Sequence, residues 1–299
     1  MSDQITVAHV QQYSTNVQHL SQQMGSRLGF AVTPSTATGK AAKPIEQIGS
    51  VAPRRRTRRH DDTPQMDTPH DARWVHPHDW EWADLVDSTD LLRMIIDPRS
   101  PYAEAAAMAM GRAKDEEIIA AFTAVAKTGE DGDVDASPLP GNTIDEDFDG
   151  ADDSGLTFAK MREARRILMA ANVDLTRDPV FIGVTAQQHD DLLDFTSNSA
   201  NVLTSSDYVN QKPLESGLVG HYLGMTIIHS ELFELSSEGF RQCPVWTKSG
   251  IVCCEWDGLK TRISERDDKS YSTQIFASQT LGATRTEEVK TVIIECVEP

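Results

Sequence analysis

The chain has 299 residues, of which 39% are hydrophobic and 25% charged, so it can bury a core and has the composition of a globular protein. Its net charge of −18 excludes a protein that grips nucleic acid by neutralising phosphates. No apolar run reaches the roughly eighteen residues of a transmembrane helix, and the first residues show no basic start and apolar stretch, so no secretory signal is expected.

The N-terminal part of the chain is poor in apolar side chains. Residues 1–32 form an N-terminal arm in which residues 10–20 have the spacing of a weak amphipathic helix. Residues 33–73 contain five prolines and only four large apolar side chains, Ile45, Ile48, Val51 and Met66. Burial of so little apolar surface does not offset the conformational entropy that the segment loses when it becomes ordered. We therefore predict an extended segment over residues 33–83, with two strands joined near residues 61–64 and ordered mainly by a neighbouring subunit.

Two groups of side chains in the extended segment are candidates for contact with that neighbour. The first is the arginine run of residues 54–59, and the second is an aromatic cluster just beyond it. A basic run also occurs in nucleic-acid patches. In so acidic a chain, ion pairs with carboxylates of neighbouring subunits are the favoured interpretation. The candidate contact residues are Arg54, Arg55, Arg56, Arg58, Arg59, Trp74, Trp80 and Trp82.

A long helix is predicted over residues 101–127. Ser100 is its expected N-cap and Pro101 its first residue, and Gly129 follows its end. Asp115 interrupts its apolar stripe. The stripe, which should pack on C-terminal strands of the same subunit, consists of Met108, Gly111, Ile118, Ile119, Phe122, Val125 and Ala126.

An acidic segment follows the helix. Residues 128–155 contain ten acidic and no basic side chains, which predicts a solvated connector. An Asp-x-Asp-x-Asp sequence from residue 131 begins like a calcium loop. Ala136 stands where that loop requires glycine, and Asn142 stands where it requires a bidentate glutamate. No metal site is therefore assigned there.

The remainder of the chain mixes helices and strands. Helices are predicted from residue 156 to about 172 and, capped by Thr185, as far as residue 195. Strands are predicted at residues 180–184, 218–223, 225–229, 245–246, 250–256, 273–278 and 289–297. Because there is no regular alternation of strand and helix, the pattern indicates the α+β class.

The common signatures of catalysis and cofactor binding are absent. The chain has no phosphate loop, no G-x-S-x-G and no H-E-x-x-H, and no cofactor is expected. Four histidines are close enough in sequence to suggest a metal site, namely His60, His70, His76 and His78. The favoured interpretation is that these side chains pack and form hydrogen bonds within loops. The four cysteines have no metal-binding spacing and are expected to be buried free thiols.

Two stretches carry a family resemblance. Residues 217–230 read Gly-Leu-Val-Gly-His-Tyr-Leu-Gly-Met-Thr-Ile-Ile-His-Ser, a Gly-x-x-Gly-x-x-x-Gly-x-x-apolar-apolar-x-Ser pattern. Residues 282–285, Gly-Ala-Thr-Arg, precede the last predicted strand. The elements follow in the order polar arm, extended segment, alanine-rich helix and a module of helix, strand, helix and β-strands. Together with this order, the two stretches resemble the major capsid proteins of tailed bacteriophages, whose fold is named after phage HK97.

The resemblance implies an α+β, HK97-like capsid fold with an N-terminal arm, an extended β loop, a long spine helix and a mixed α/β axial domain. The implied divisions are the arm (1–32), the extended loop (33–83), a peripheral domain (84–155, with spine helix 101–127 and acidic loop 128–155), the axial domain (156–258) and return strands (259–299).

The resemblance also implies a structural protein of the virion, not an enzyme. Hexamers and pentamers of the subunit would assemble in the host bacterial cytoplasm into an icosahedral shell that encloses double-stranded DNA without sequence-specific binding. A separate scaffolding protein and a portal are implied partners, a decoration protein is left open, and no membrane partner is implied. Two alternatives remain at this point: an encapsulin-like compartment, and a metal-dependent hydrolase that uses the His and Asp clusters.

Overall fold

The structure is a computed structural model, and it describes residues 22–39, 42–60, 63, 65–86, 99–148, 154–198 and 220–298. The helix predicted within residues 10–20 lies outside the described residues. So do most of the turn predicted at residues 61–64, the start of the strand predicted at residues 218–223, and the Ser100 side chain proposed as a helix cap.

The described part of the chain contains three α-helices and fourteen β-strands. The helices are α1 (Arg99–Thr123), α2 (Phe158–Ala170) and α3 (Ala186–Asn198). The strands are β1 (Thr33–Thr36), β2 (Lys43–Ile48), β3 (His70–Val75), β4 (His78–Val86), β5 (Ala126–Thr128), β6 (Val134–Ala136), β7 (Thr143–Ile144), β8 (Val180–Val184), β9 (His221–Tyr222), β10 (Met225–His229), β11 (Arg241–Thr247), β12 (Ile251–Arg266), β13 (Ser272–Arg285) and β14 (Thr291–Cys296). This mixture confirms the α+β class.

The chain divides into two units. The described residues of the first unit fall within Met1–Ser26, His78–Lys114 and Asp257–Leu281. Those of the second unit fall within Arg27–Pro77, Asp115–Trp256 and Gly282–Pro299. Helix α1 and strands β12 and β13 contribute residues to both units.

In the first unit, β13 pairs antiparallel with β4, from Thr273 opposite Val86 to Leu281 opposite His78. The outer half of β12 lies on the other side of β13. One face of this ribbon carries a small apolar cluster with the alanine-rich half of α1. Its members are Trp80, Trp82, Ala106, Met110 and Ala277.

The second unit is built on a six-stranded mixed sheet in the order β7-β14-β11-β8-β10-β9. Strands β8 and β10 pair in parallel and have the bounds that the sequence predicts. Thr157 caps α2 by accepting the backbone N–H of Lys160. Met161 and Leu168 of α2 are buried against the sheet. The helix is two residues shorter at each end than the predicted range of 156 to about 172.

A second core of the same unit surrounds the C-terminal half of α1. Ile118, Ile119 and Phe122 are buried there with Trp246, whose ring centroid lies 4.8 Å from that of Phe122. The indole Nε1 of Trp246 donates to the carbonyl oxygen of Ala31 at 2.9 Å. These contacts confirm, for Ile118, Ile119 and Phe122, that the apolar stripe of the helix packs on C-terminal strands, whereas Gly111 lies against the backbone of Gly25 and Ser26.

Two details of the predicted helix are wrong. The helix runs from Arg99 to Thr123 and not over residues 101–127, so Ser100 lies inside the helix and is not its N-cap. The chain leaves the helix after Thr123 and enters β5 at Ala126. Val125 consequently lies outside the helix, and 49% of its surface is exposed.

The prediction for the acidic segment, residues 128–155, is also wrong in part. The described part of the segment contains the end of β5 and the short strands β6 and β7, although most of its described acidic side chains are exposed. Strand β5 pairs with β3, and β7 pairs with β14. The high charge misled the prediction because charged side chains on a sheet edge remain in water while the backbone forms the ladder.

The extended segment is likewise ordered within its own chain. Strand β1 pairs with β12, and β2 pairs antiparallel with β3 from Lys43 opposite Val75 to Ile48 opposite His70. The segment thus forms strands within its own subunit, and the contribution of a neighbouring subunit to its ordering stays a prediction. Backbone hydrogen bonds supply what the scarce apolar side chains do not.

The four cysteines are buried and free, as the sequence predicts. Cys253 and Cys254 belong to different apolar clusters, because adjacent residues of a strand point to opposite faces. Lys160 is also buried, which the sequence does not reveal. Its Nζ donates to the carbonyl oxygens of Ser154 at 2.8 Å, Gly155 at 3.1 Å and Glu295 at 3.0 Å, and burial lowers its pKa.

Glu298 holds the end of the chain against the six-stranded sheet. Its carboxylate accepts both Nε and Nη2 of Arg241, at 2.8 and 2.7 Å, and the side chains of Gln188 and Thr185. The hydrogen bonds from Arg241 are the main cause that lowers the pKa of Glu298 to about 2.

We expect this carboxylate to make the subunit sensitive to acid. A depressed pKa contributes stability that is fully present above the unfolded value of about 4.3 and is lost as the pH falls toward the folded value. The melting temperature of the wild-type subunit should therefore fall between pH 5 and pH 2.5 by more than that of a Glu298→Gln variant. Equal falls in the two proteins would contradict this role.

Candidate subunit-contact surface

The arm sheet is the element that the sequence singles out for contact with other subunits. It consists of four strands in the order β2-β3-β5-β6. The β2–β3 ladder ends where the N–H of Gly49 donates to the carbonyl oxygen of Pro69 at 2.9 Å. The chain between these two residues leaves the sheet as one long connection. The arginine run lies in this connection.

Buried polar contacts fix the base of the arm sheet. Arg73 is 6% exposed, and its Nε donates to the carbonyl oxygen of Thr286 at 2.9 Å. Its Nη2 forms an ion pair with Glu288 at 2.6 Å. Gln47 on β2 donates to the same Thr286 oxygen at 2.6 Å. Both strands of the hairpin are thus bonded to the turn that precedes β14, which fixes the base of the arm sheet within the second unit.

The turn between β5 and β6, residues 129–133, carries exposed carboxylates, and we name it the acidic turn. Its exposed acidic residues are Glu130, Asp131 and Asp133. Asp71 on β3 holds the start of this turn, because its Oδ1 accepts the hydroxyl of Thr128 at 3.0 Å and the N–H of Gly129 at 3.1 Å. The N–H of Ala72 and then these two bonds lower the pKa of Asp71.

Trp74 also supports the acidic turn, through Gly129 and Gly132. Its Nε1 donates to the carbonyl oxygen of Gly129 at 2.7 Å. Its ring lies against Gly132, where a Cβ atom would come within 2.8 Å of the ring carbon Cγ. Gly132 also has a φ of +71°, a conformation that glycine adopts without strain. The acidic turn therefore has a fixed shape, and Trp74 is the side chain that supports it.

The arginine tip, which we define as residues 51–60, is exposed at every position. The prediction of a strand through the arginines is wrong, because the ladder between β2 and β3 stops at Ile48 and His70. Arg56 donates from Nε to the carbonyl oxygen of Arg58 at 2.9 Å. The tip therefore presents several guanidinium groups to solvent from one end of the arm sheet.

Trp80 and Trp82 are not part of the arm sheet. They lie on β4 in the first unit, where they pack against Ala106, Met110 and Ala277. All three tryptophans thus have packing roles within the subunit, and a further contact with another subunit stays a prediction.

The two stretches that carry the family resemblance have structural roles. A Cβ atom at Gly282 would clash with the carbonyl oxygen of His76, so only glycine permits this approach. Arg285 is buried, and its Nη1 donates to the carbonyl oxygens of Ala121 at 2.9 Å and Phe122 at 2.8 Å. It thereby binds the last turn of α1. Leu223 and Gly224 form the tight turn between β9 and β10.

Sequence reasoning missed Asp71, Arg73 and Gly132 as residues that shape this surface. The Asp131–Gly132 pair is a hairpin signal that was available in the sequence. Nothing in the local pattern distinguishes Asp71 and Arg73 from the other charged residues nearby, because their partners lie far away along the chain.

Within the described residues, no group of three or more His, Cys, Asp or Glu side chains is placed to hold a metal ion. His76 lies in the short link between β3 and β4, and His78 begins β4. Among the same described residues, no helix combines the length and the apolar character needed to cross a membrane.

Comparisons with known proteins agree on one family. The model of the phage capsid protein family matches residues 5–298. No curated protein is detectably similar to the chain in sequence. The capsid protein of cyanophage P-SCSP1u has a similar structure, with a TM-score of 0.72, 12% identity, and coverage of 97% of this chain and 93% of that one.

Two further capsid structures are similar over nearly their whole length. That of bacteriophage PhiM1 has a TM-score of 0.66 at 13% identity, over 97% of this chain and 92% of that one. The head structure of the Helicobacter pylori bacteriophage KHP40 has a TM-score of 0.67 at 10% identity, over 95% of each chain. These likenesses confirm the HK97-like fold. Because the family model spans almost all of its residues, the chain belongs to the phage capsid protein family.

Proposed function

We propose that this chain is the major subunit of an icosahedral shell that encloses packaged double-stranded DNA. The observation that carries the proposal is the match of residues 5–298 to the phage capsid protein family. The arm sheet adds support, since a fixed sheet with a long exposed tip is suited to reach a neighbouring subunit. The role is structural, and no catalytic group is assigned.

The charge of the subunit suits this role. A net charge of −18 repels DNA phosphates, so the shell would enclose DNA at high density without binding it tightly. Many weak contacts between identical subunits would add up to a closed particle. We further propose that residues 84–155 and 259–299 form a peripheral domain and that residues 156–258 form an axial domain near the five- and six-fold axes.

The same proposal includes partners and location. The subunit would form hexamers and pentamers, assembled in the bacterial cytoplasm with a separate scaffolding protein and a portal. The mature shell would be part of the virion.

Size-exclusion chromatography followed by electron microscopy tests the proposed function. The expressed chain, with a scaffolding protein of its own phage where one is required, should elute in the void volume as closed shells. A chain that stays monomeric or forms only small oligomers under all assembly conditions would contradict the proposal. Shells isolated from infected cells should contain nuclease-protected DNA, whereas a protein cargo without DNA would indicate the encapsulin-like alternative.

Limited proteolysis with trypsin should distinguish free from assembled subunits at the arginine tip. All residues from 51 to 60 are exposed in the single subunit, so trypsin should cleave there first. Assembled shells should resist cleavage at the same arginines if a neighbour covers the tip. Cleavage at equal rates in both states would contradict a contact through this segment.

A further inference from the structure

We propose that the arginine tip of one subunit docks onto the acidic turn of a neighbouring copy of the same chain. This inference rests on the proposed shell function and names the partner surface that the arginines bind. It assigns a role to two charged features that the fold itself does not need.

The acidic turn is a fixed structure that holds like charges together. Asp71 and Trp74 both form hydrogen bonds with Gly129 at its start, and Gly132 packs against the indole ring. Glu130, Asp131 and Asp133 are nevertheless exposed. Neighbouring like charges repel one another, so a rigid turn that presents them is suited to a cationic partner.

The arginine tip has the matching chemistry. Guanidinium groups bind carboxylates through two parallel hydrogen bonds, which gives such a pair both strength and direction. Arg55, Arg56, Arg58 and Arg59 are exposed within five consecutive positions. The connection that carries them begins at Gly49 and ends at Pro69, so its reach extends well beyond the end of the sheet.

The arginine tip and the acidic turn both lie beyond the same end of the arm sheet. Strand β5 pairs antiparallel with β3, with Thr128 opposite Arg73, and therefore ends on the side where the β2–β3 connection begins. Each copy thus carries a cationic tip and an anionic turn. A head-to-tail contact needs this combination, because every subunit gives its tip to one neighbour and receives the tip of another.

Charge reversal tests the contact. In the tip variant, Arg55→Glu and Arg58→Glu reverse two charges, and in the turn variant Glu130→Lys and Asp133→Lys do the same. We expect each variant to lower the yield of shells by at least about tenfold, since like charges then meet at every repeat of the contact. The melting temperature of the subunit should stay unchanged. Combining all four substitutions in one chain should restore the shells.

The matched control reverses two exposed charges elsewhere, Lys260→Glu with Arg262→Glu on β12. A control loss as large as that of the tip variant would show a general charge effect and overturn the proposal. So would a fourfold variant that stays defective while each variant subunit is folded. In either case wild-type shells would still form, so the proposed function would stand.

Mixing the two variants separates a contact between copies from one within a chain. The tip variant and the turn variant, each unable to assemble alone, should co-purify when expressed together with different tags. If the tip bound the turn of its own chain, the mixture would remain as defective as its components, and the proposal would be overturned.

A second measurement covers the case in which a reversed variant fails to fold. Arg55→Lys and Arg58→Lys keep the charge and add amines that a water-soluble carbodiimide joins to carboxylates in contact. In shells assembled from isotopically light and heavy subunits, mass spectrometry should find residue 55 or 58 joined to residues 130–133 of the other isotope. Cross-links to the turn only within one isotope, or only to other segments, would overturn the proposal.

Discussion

Replacing Phe122 by alanine should destabilise the subunit by about 3–5 kcal/mol, a loss comparable to the whole stability of many domains. The ring is 2% exposed and packs against Trp246 with ring centroids 4.8 Å apart. Its removal would leave a cavity between the end of α1 and the core strands, which the rigid sheet is poorly able to fill. We therefore expect insoluble subunits, visible as a loss of soluble expression and of the cooperative thermal transition.

Glu116→Ala is the matched control on the same helix. Glu116 is exposed, and alanine favours the helix, so this variant should remain soluble with a melting temperature close to that of the wild type. A Phe122→Ala subunit that melts within a few degrees of this control would show that the ring does not anchor the helix.

The second large effect is expected at Asp115, the buried charge in the apolar face of α1. Its Oδ2 accepts the N–H of Arg27 at 2.8 Å, and its Oδ1 accepts the N–H of Leu28 at 3.1 Å. Asp115→Ala would remove the acceptor of both backbone donors, the buried one of Leu28 and the part-buried one of Arg27, at a cost on the order of 3 kcal/mol. The segment that leads into the core at Leu28 would lose these two hydrogen bonds to the helix.

Asp115→Asn separates charge from geometry. The amide oxygen still accepts one of the two bonds, so this variant should lose less stability than Asp115→Ala in chemical denaturation. Hydrogen exchange should locate the change at the amides of Arg27 and Leu28. Unchanged protection of these two amides in Asp115→Ala would contradict the assigned role.

The sequence was a good guide wherever local pattern and burial agree. Strands β8 and β10 have their predicted bounds, because short apolar runs between turn residues fill a central sheet. The apolar spacing of α1 identified Ile118, Ile119 and Phe122 as inward. In each case the pattern of apolar side chains was sufficient for the prediction.

The sequence was a poor guide to the arm sheet, where backbone pairing decides the structure. Strands β2 and β3 are poor in apolar side chains, yet six residues of each form a β-ladder. The backbone hydrogen bonds between them and the pairing of β3 with β5 stabilise this ladder. Asp115 shows the same limit. A polar residue in an apolar stripe indicates that a hydrogen-bond partner exists, but the sequence does not identify which residue it is. The partners of Asp71, Arg73 and Arg285 also lie far away in sequence.

A cryo-electron-microscopy reconstruction of the assembled particle tests the account most directly. It should show an icosahedral shell in which the fold described above repeats in every subunit, with the arginine tip of one copy against residues 129–133 of the next. A particle without icosahedral symmetry, or a chain that never forms a closed shell, would contradict the account at its centre.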